Sequence, residues 1–86
     1  MSKLYKLTAQ QYKEGYVIEE RFFTSKRIAY EQRELLIEYL VWNYDLDKRE
    51  IKEVSNIKEI NSIIIENSYM VTVVEHEILT KPSKYI

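Results

Sequence analysis

One long amphipathic segment constrains the fold of this chain more than any other feature. Thr24-Ser25 offers hydroxyl groups that can cap a helix, and residues 26–44 then carry apolar side chains at steps of three, four and seven. These apolar positions are Ile28, Ala29, Leu35, Leu36, Tyr39, Leu40 and Trp42. At 1.5 Å per residue such a helix is roughly 28 Å long, which is enough to cross a small sheet completely. The segment therefore predicts one long helix that packs along a single apolar stripe.

Alternating apolar and polar residues on both sides of this helix predict strands. Before it, residues 3–9 and 16–23 alternate around the only glycine, which is typical of a β-hairpin. After it, residues 62–66 and 69–79 are rich in Ile and Val and are separated by Asn67-Ser68, a pair that suits a tight turn. The chain therefore contains two predicted hairpins, one on each side of the helix.

The segment between the helix and the second hairpin has two interpretations. Asp47 and Glu50 match an Asp-x-x-Glu capping box, and Leu46 and Ile51 stand where a hydrophobic staple would form. These signals predict a short second helix over residues 48–54. A strand within residues 51–60 is the competing interpretation, and periodicity does not decide between them.

The order of elements predicts a small two-layer α+β domain, in which an antiparallel sheet packs against one long helix. A chain of 86 residues allows one domain, which we expect to span residues 1–80, followed by a loose tail over residues 81–86. The predicted core residues are Ile18, Leu36, Leu40, Ile63, Ile65, Val71 and Val73.

The composition excludes several classes of function. The absence of cysteine removes disulfides, thiolate zinc sites and cysteine nucleophiles, and a single glycine rules out glycine-rich phosphate loops. A net charge of -1 argues against a general nucleic-acid binder. No apolar run approaches the roughly 18 residues that span a bilayer, and nothing at the N-terminus has the pattern of a signal peptide. We therefore expect a cytoplasmic protein that has no membrane contact, no cofactor and no direct general nucleic-acid binding.

The sequence also argues against catalysis and against a metal site. The only histidine, His76, lies between Glu75 and Glu77, and on a strand the glutamates point away from it. The three side chains therefore cannot converge on one metal. The two aspartates, Asp45 and Asp47, are not accompanied by a nucleophile motif. We predict no catalytic and no metal-binding residue.

Three glutamates form the first candidate binding surface. Glu31, Glu34 and Glu38 are three and four residues apart and so share one side of the predicted helix. Like charges at these spacings cost a few tenths of a kcal/mol each, which slightly disfavours the isolated helix. The row predicts a docking surface for a basic partner, with an ordinary solvated surface as the alternative.

Three tyrosines form the second candidate binding surface. The chain has eight, and the predicted elements leave Tyr12, Tyr30 and Tyr44 away from the centre of the core. Tyrosine is enriched at interface hot spots because it buries a large area at small entropic cost. We predict that these three contact a partner, with amphipathic residues at the rim of the core as the alternative.

The start of the helix offers a different function. Lys26 and Arg27 lie in the first helical turn, where the helix dipole favours anions rather than cations. With Thr24, Ser25 and the free N–H groups they could bind a small anion or a nucleotide. This anion site is the alternative to protein binding.

The coding bias of the chain adds a resemblance. Ile, Lys, Asn and Tyr total 32 residues, against 8 for Gly, Ala, Pro and Arg, as in an AT-rich genome. With its size and its lack of catalytic motifs, the chain resembles small accessory proteins of phages and mobile elements of low-GC Gram-positive bacteria, which include anti-CRISPR-like and host-enzyme inhibitors. The resemblance implies a non-enzymatic inhibitor that occludes a site on a larger host protein in the bacterial cytoplasm. A further alternative is an assembly subunit that forms a homodimer through the Ile- and Val-rich C-terminal hairpin.

Overall fold

The predicted long helix is confirmed. The structure, a computed structural model, describes residues 2–57 and 60–78, and its helix α1 spans Lys26–Tyr44. The Ser25 hydroxyl caps its start by accepting a hydrogen bond from the N–H of Ile28 at 3.3 Å. Its end lies at Asp45, which adopts the left-handed conformation at φ 51° and donates its N–H to the carbonyl of Val41.

Five antiparallel strands form one sheet with the spatial order β2-β1-β5-β4-β3. In chain order they are β1 (Ser2–Gln11), β2 (Val17–Phe23), β3 (Ile51–Ile57), β4 (Ile60–Ile65) and β5 (Tyr69–Ile78). A turn with positive φ at Glu66 and Asn67, closed by the Ser68 N–H on the Ile65 carbonyl at 2.8 Å, joins β4 to β5. One helix and this sheet pack together, so the predicted α+β class is confirmed.

The core lies between the helix and one face of the sheet. Residues that pair directly across antiparallel strands point to the same face, and the odd-numbered residues of β1, β4 and β5 face α1. The buried apolar side chains of the strands are Tyr5, Leu7, Ala9, Ile63, Ile65, Tyr69, Val71 and Val73. Those of the helix are Ala29, Leu36, Ile37 and Leu40. Six of the seven predicted core residues are therefore confirmed.

Ile18 is the exception. It is 37% exposed and lies on β2, which is an edge strand. The pairing of β2 with β1 shifts by one residue at this point, because Ala9 pairs with Glu19 whereas Gln10 pairs with Val17. Ile18 is the extra residue of this bulge and does not reach the core.

The predicted second helix over residues 48–54 is wrong. Only a single 3₁₀ turn forms, at Lys48–Glu50, and β3 follows directly. The capping box is incomplete because the Asp47 N–H donates to the Glu66 carboxylate at 2.7 Å rather than to Glu50. Pairing of β3 with β4 outweighs the local helix signal. The predicted tail, residues 81–86, lies outside the described residues.

Candidate protein-binding surfaces

The helix exposes an apolar stripe on its side away from the sheet. Leu35, Tyr39 and Trp42 stand at positions i, i+4 and i+7 and are 56%, 57% and 87% exposed. We call these three residues the outer stripe. Ile28, one heptad before Leu35, extends it and is 39% exposed. Large apolar side chains at this spacing are typical of a helix that inserts into an apolar groove of a partner.

The outer stripe corrects the prediction of a single apolar stripe. The helix buries Ala29, Leu36, Ile37 and Leu40 against the sheet, together with Arg33. At 100° per residue the centre of the outer stripe lies roughly 140° around the helix from the centre of the buried one. Leu35, Tyr39 and Trp42 therefore do not contribute to the core, although the sequence assigned them to the same stripe as Leu36 and Leu40.

A hollow of about 520 Å³ runs along the outer stripe. Besides the stripe, it is lined by Glu38, Val41, Asn43 and Lys48. The Asn43 amide is held in place because it donates to the backbone carbonyl of Tyr39 at 2.8 Å. The stripe is thus part of a shaped surface with a polar border.

The predicted acidic docking residues lie beside the outer stripe. Glu31, Glu34 and Glu38, which we call the acidic row, are all exposed. Arg27 pairs with Glu31 at 2.9 Å and Arg33 pairs with Glu34 at 3.2 Å. Within the described ranges Glu38 makes no ion pair. Its charge is therefore the least neutralised of the three, and it lies beside Tyr39 and Trp42 in the hollow.

The three predicted tyrosines do not converge on one surface. Tyr12 is 39% exposed and follows β1, at the far end of the sheet from the start of the helix. Tyr30 is half-buried, and the Arg33 guanidinium lies 4.6 Å from its ring centroid. Tyr44 packs on the buried Tyr69 with ring centroids 5.0 Å apart, although it remains 49% exposed. Tyr39, which the sequence did not single out, lines the hollow together with Glu38.

Two of the four predicted anion-binding residues make contacts within the chain. The set is Thr24, Ser25, Lys26 and Arg27. The Ser25 hydroxyl caps the helix, and Arg27 pairs with Glu31. The charge of Lys26 acts on Glu75 of β5. Anion binding at the start of the helix stays a prediction.

A small hydrogen-bonded cluster lies near that end of the helix. Glu75 stands opposite the buried Tyr5 in the β1–β5 register and accepts a hydrogen bond from Lys3, whose Nζ lies 3.4 Å away. Desolvation raises the pKa of Glu75, but its interactions with the Tyr5 hydroxyl and with the charges of Lys3 and Lys26 outweigh it and bring the pKa below its ordinary value. Burial, followed by the bond to Glu75, raises the pKa of Tyr5. The cluster ties β1 to β5.

The face of the sheet away from the helix is the second large apolar surface, and we call it the open face. Its apolar side chains are Leu4, Val17, Phe22, Val54, Ile64, Met70 and Val74. Ile64 is buried, and Leu4, Val54, Met70 and Val74 are half-buried. A shallow trough of about 630 Å³ crosses it. Among the described residues no helix or strand packs on this face. Phe22 and Val17, on the edge strand β2, are 54% and 56% exposed.

Some polar groups on the open face bond to one another. Ser62 and Thr72, on neighbouring strands at the centre of the trough, share a hydroxyl hydrogen bond of 2.9 Å. Lys6 and Glu20 form an ion pair at 3.5 Å. Thr8, Gln10, Lys52 and His76 face the same side and make no side-chain hydrogen bond or ion pair within the described residues, so the face is apolar only in part.

The register of β5 places His76 on the open face and Glu75 and Glu77 on the helix face, as the sequence predicts. In the part of the chain that the structure describes, no three metal-ligating side chains cluster. No helix in residues 2–57 and 60–78 combines the length and the apolar character needed to cross a bilayer. No protein-family model, curated protein or solved structure matches this chain significantly.

Proposed function

We propose that this chain is a non-enzymatic protein-binding module that docks through the outer stripe and the acidic row of α1. The observation that carries the proposal is the exposure of Leu35, Tyr39 and Trp42, at 56%, 57% and 87%, on a helix whose opposite side is fully packed. Exposed apolar groups of this size gain free energy when a partner removes them from water.

The identity of these residues supports an energetic anchor. Trp and Tyr are the side chains most enriched at interface hot spots, where truncation costs about 2 kcal/mol or more. A tryptophan that is 87% exposed contributes little to the stability of the isolated chain, whereas a groove that encloses it would gain most of its apolar area.

The charges indicate the chemistry of the partner. If two copies paired their helices antiparallel along the outer stripe, the acidic rows would face each other and repel. A partner whose apolar groove carries Lys or Arg along one rim would instead attract Glu38 and its neighbours. We therefore propose a different protein as the occupant, with a basic rim on the side of the acidic row.

Occlusion is the finer form of this proposal. A rigid helix that fills a groove excludes any other ligand from that groove. A small accessory protein of a phage or mobile element could inhibit a larger host protein in this way, as the resemblance implies.

The test compares two exposed aromatic positions. Immobilised parent protein and the variant Trp42→Ser are incubated with lysate of a low-GC Gram-positive bacterium, and retained proteins are identified by mass spectrometry. Tyr16→Ser is the matched control, because Tyr16 is 67% exposed and precedes β2 rather than lying on α1. We expect a protein that parent and control retain, that Trp42→Ser loses, and that elutes at moderate salt.

The purified candidate protein is then titrated separately with the parent and with Trp42→Ser. We expect it to bind the parent more tightly than Trp42→Ser. Equal affinity for the parent and Trp42→Ser contradicts docking through the outer stripe. Loss of binding in Tyr16→Ser alone would place the contact on the β1–β2 connection instead.

A further inference from the structure

We infer that the hollow along the outer stripe selects its partner by the order of the partner's charges, with a basic group against Glu38 and an acidic group against Lys48. The occupant is a segment of a different protein that carries apolar side chains between these two groups. The inference rests on the proposed function and deepens it, because it adds an acidic group to the basic rim of the partner and fixes the direction of docking.

The two charges of the hollow come from separate elements. Glu38 lies on α1, whereas Lys48 lies on the 3₁₀ turn beyond the end of the helix, and both are exposed and line the hollow. In the described part of the chain neither side chain forms an ion pair. Arg49, next to Lys48, is by contrast paired with Asp47 at 3.2 Å. The hollow therefore offers a partner one unneutralised charge of each sign.

The rest of the hollow is mainly apolar. Tyr39, Val41 and Trp42 line it and lie between Glu38 and Lys48 in the chain. Its volume of about 520 Å³ lies within the roughly 300–1,000 Å³ of ligand pockets, so it has room for apolar side chains of a partner. These side chains displace water, which strengthens the interaction of both charges with groups of the partner.

The opposite signs of the two charges fix the direction of docking. A segment that enters the hollow in one direction gains two attractions, whereas the reversed segment places like charges together twice. Unfavourable pairs of this kind are a source of specificity. A groove with Lys or Arg on every side, which the acidic row alone would accept, is disfavoured because Lys48 repels it.

A second copy of the chain cannot satisfy the charges and the outer stripe together. Antiparallel helices would match Glu38 with Lys48 of the other copy only if the pair were centred near Asn43, midway between them in the chain. Leu35 would then lie beyond the end of the other helix, which ends at Tyr44. Pairing along the whole outer stripe would instead bring the two acidic rows together. A different protein has neither constraint.

The experiment reverses each charge and then exchanges the two. The probe is the purified lysate protein that the parent and Tyr16→Ser retain, titrated calorimetrically against each variant. Glu38→Lys and Lys48→Glu should each weaken binding about tenfold, less at high salt, and the exchange variant with both changes should bind more weakly still. Lys13→Glu and Glu14→Lys, at exposed positions between β1 and β2, change the net charge by the same amounts and should bind like the parent.

The outcomes separate this inference from the proposed function. If Trp42→Ser loses binding but both charge reversals bind like the parent, docking through the outer stripe stands and the inference is overturned. Full affinity in Lys48→Glu alone also overturns it, because the partner then has no acidic group at that place. Recovery of affinity in the exchange variant would show that Glu38 and Lys48 meet each other, as in a pair of copies, and would overturn it too.

Circular dichroism checks the fold of every variant. Should Lys48→Glu fail to fold, Lys48→Gln takes its place, with an expected loss of about threefold. If no retained protein depends on Trp42, both the proposed function and this inference are overturned.

Discussion

Two leucines on α1 test which side of the helix faces the sheet, and the outer stripe depends on that orientation. Leu40 is fully buried and Leu35 is 56% exposed, although they are five residues apart on α1. Leu40→Ala removes three carbons from a close-packed core and leaves a cavity, so we expect a loss of about 3–5 kcal/mol in the free energy of unfolding. Complete burial of a leucine contributes about 1.5–3 kcal/mol. Leu35 buries less than half of its surface, and alanine is the better helix former, so Leu35→Ala should cost less than about 1 kcal/mol.

Urea unfolding followed by circular dichroism measures both values. For a domain of this size 1 kcal/mol corresponds to about 4–8 °C in Tm, so Leu40→Ala should lower Tm by more than about 12 °C and Leu35→Ala by only a few degrees. Leu40→Met, which keeps the volume, should cost under about 1.5 kcal/mol and controls for nonspecific damage. Equal losses for Leu35→Ala and Leu40→Ala would mean that the outer stripe is packed, and the proposed docking surface would lose its basis.

Three further predictions follow from local contacts. Asp45→Gly should raise the free energy of unfolding by about 0.5–1 kcal/mol in urea titrations, because it relieves a left-handed residue at φ 51° and removes a negative charge from the helix C-terminus; an unchanged midpoint would contradict this. The lowered pKa of Glu75 gives stability that is fully present above pH 4.5 and is lost as the pH falls through the folded-state pKa. Glu75→Gln should therefore flatten the loss of Tm on acidification, and a parallel pH profile would be the contrary result. Reversal of Glu31, Glu34 and Glu38 to Lys should slow association with the captured partner and leave the far-UV spectrum unchanged, whereas reversal of Lys26 and Arg27 should matter little; the opposite ranking would favour the anion site.

The elements that the sequence predicted correctly are those with signals inside the element. The Ser25 cap and the apolar steps of three and four define α1, and alternation defines β1 and β5. β3 was ambiguous because its determinant is distant in sequence. The carboxylate of Glu66, nineteen residues after Asp47, takes the N–H that a capping box would satisfy. Local pattern cannot reveal such a contact.

The candidate site was predicted only in part for a related reason. The acidic row lies on one exposed side of the helix, as its spacing implies. Periodicity also shows that Leu35 and Leu36 lie on the apolar side of the helix. It does not show how much of that side packs against the sheet. A helix on a flat sheet buries a narrow stripe, so Leu36 and Leu40 are packed while Leu35 and Trp42 face outward. The wide apolar arc in the sequence was the available signal of a second surface.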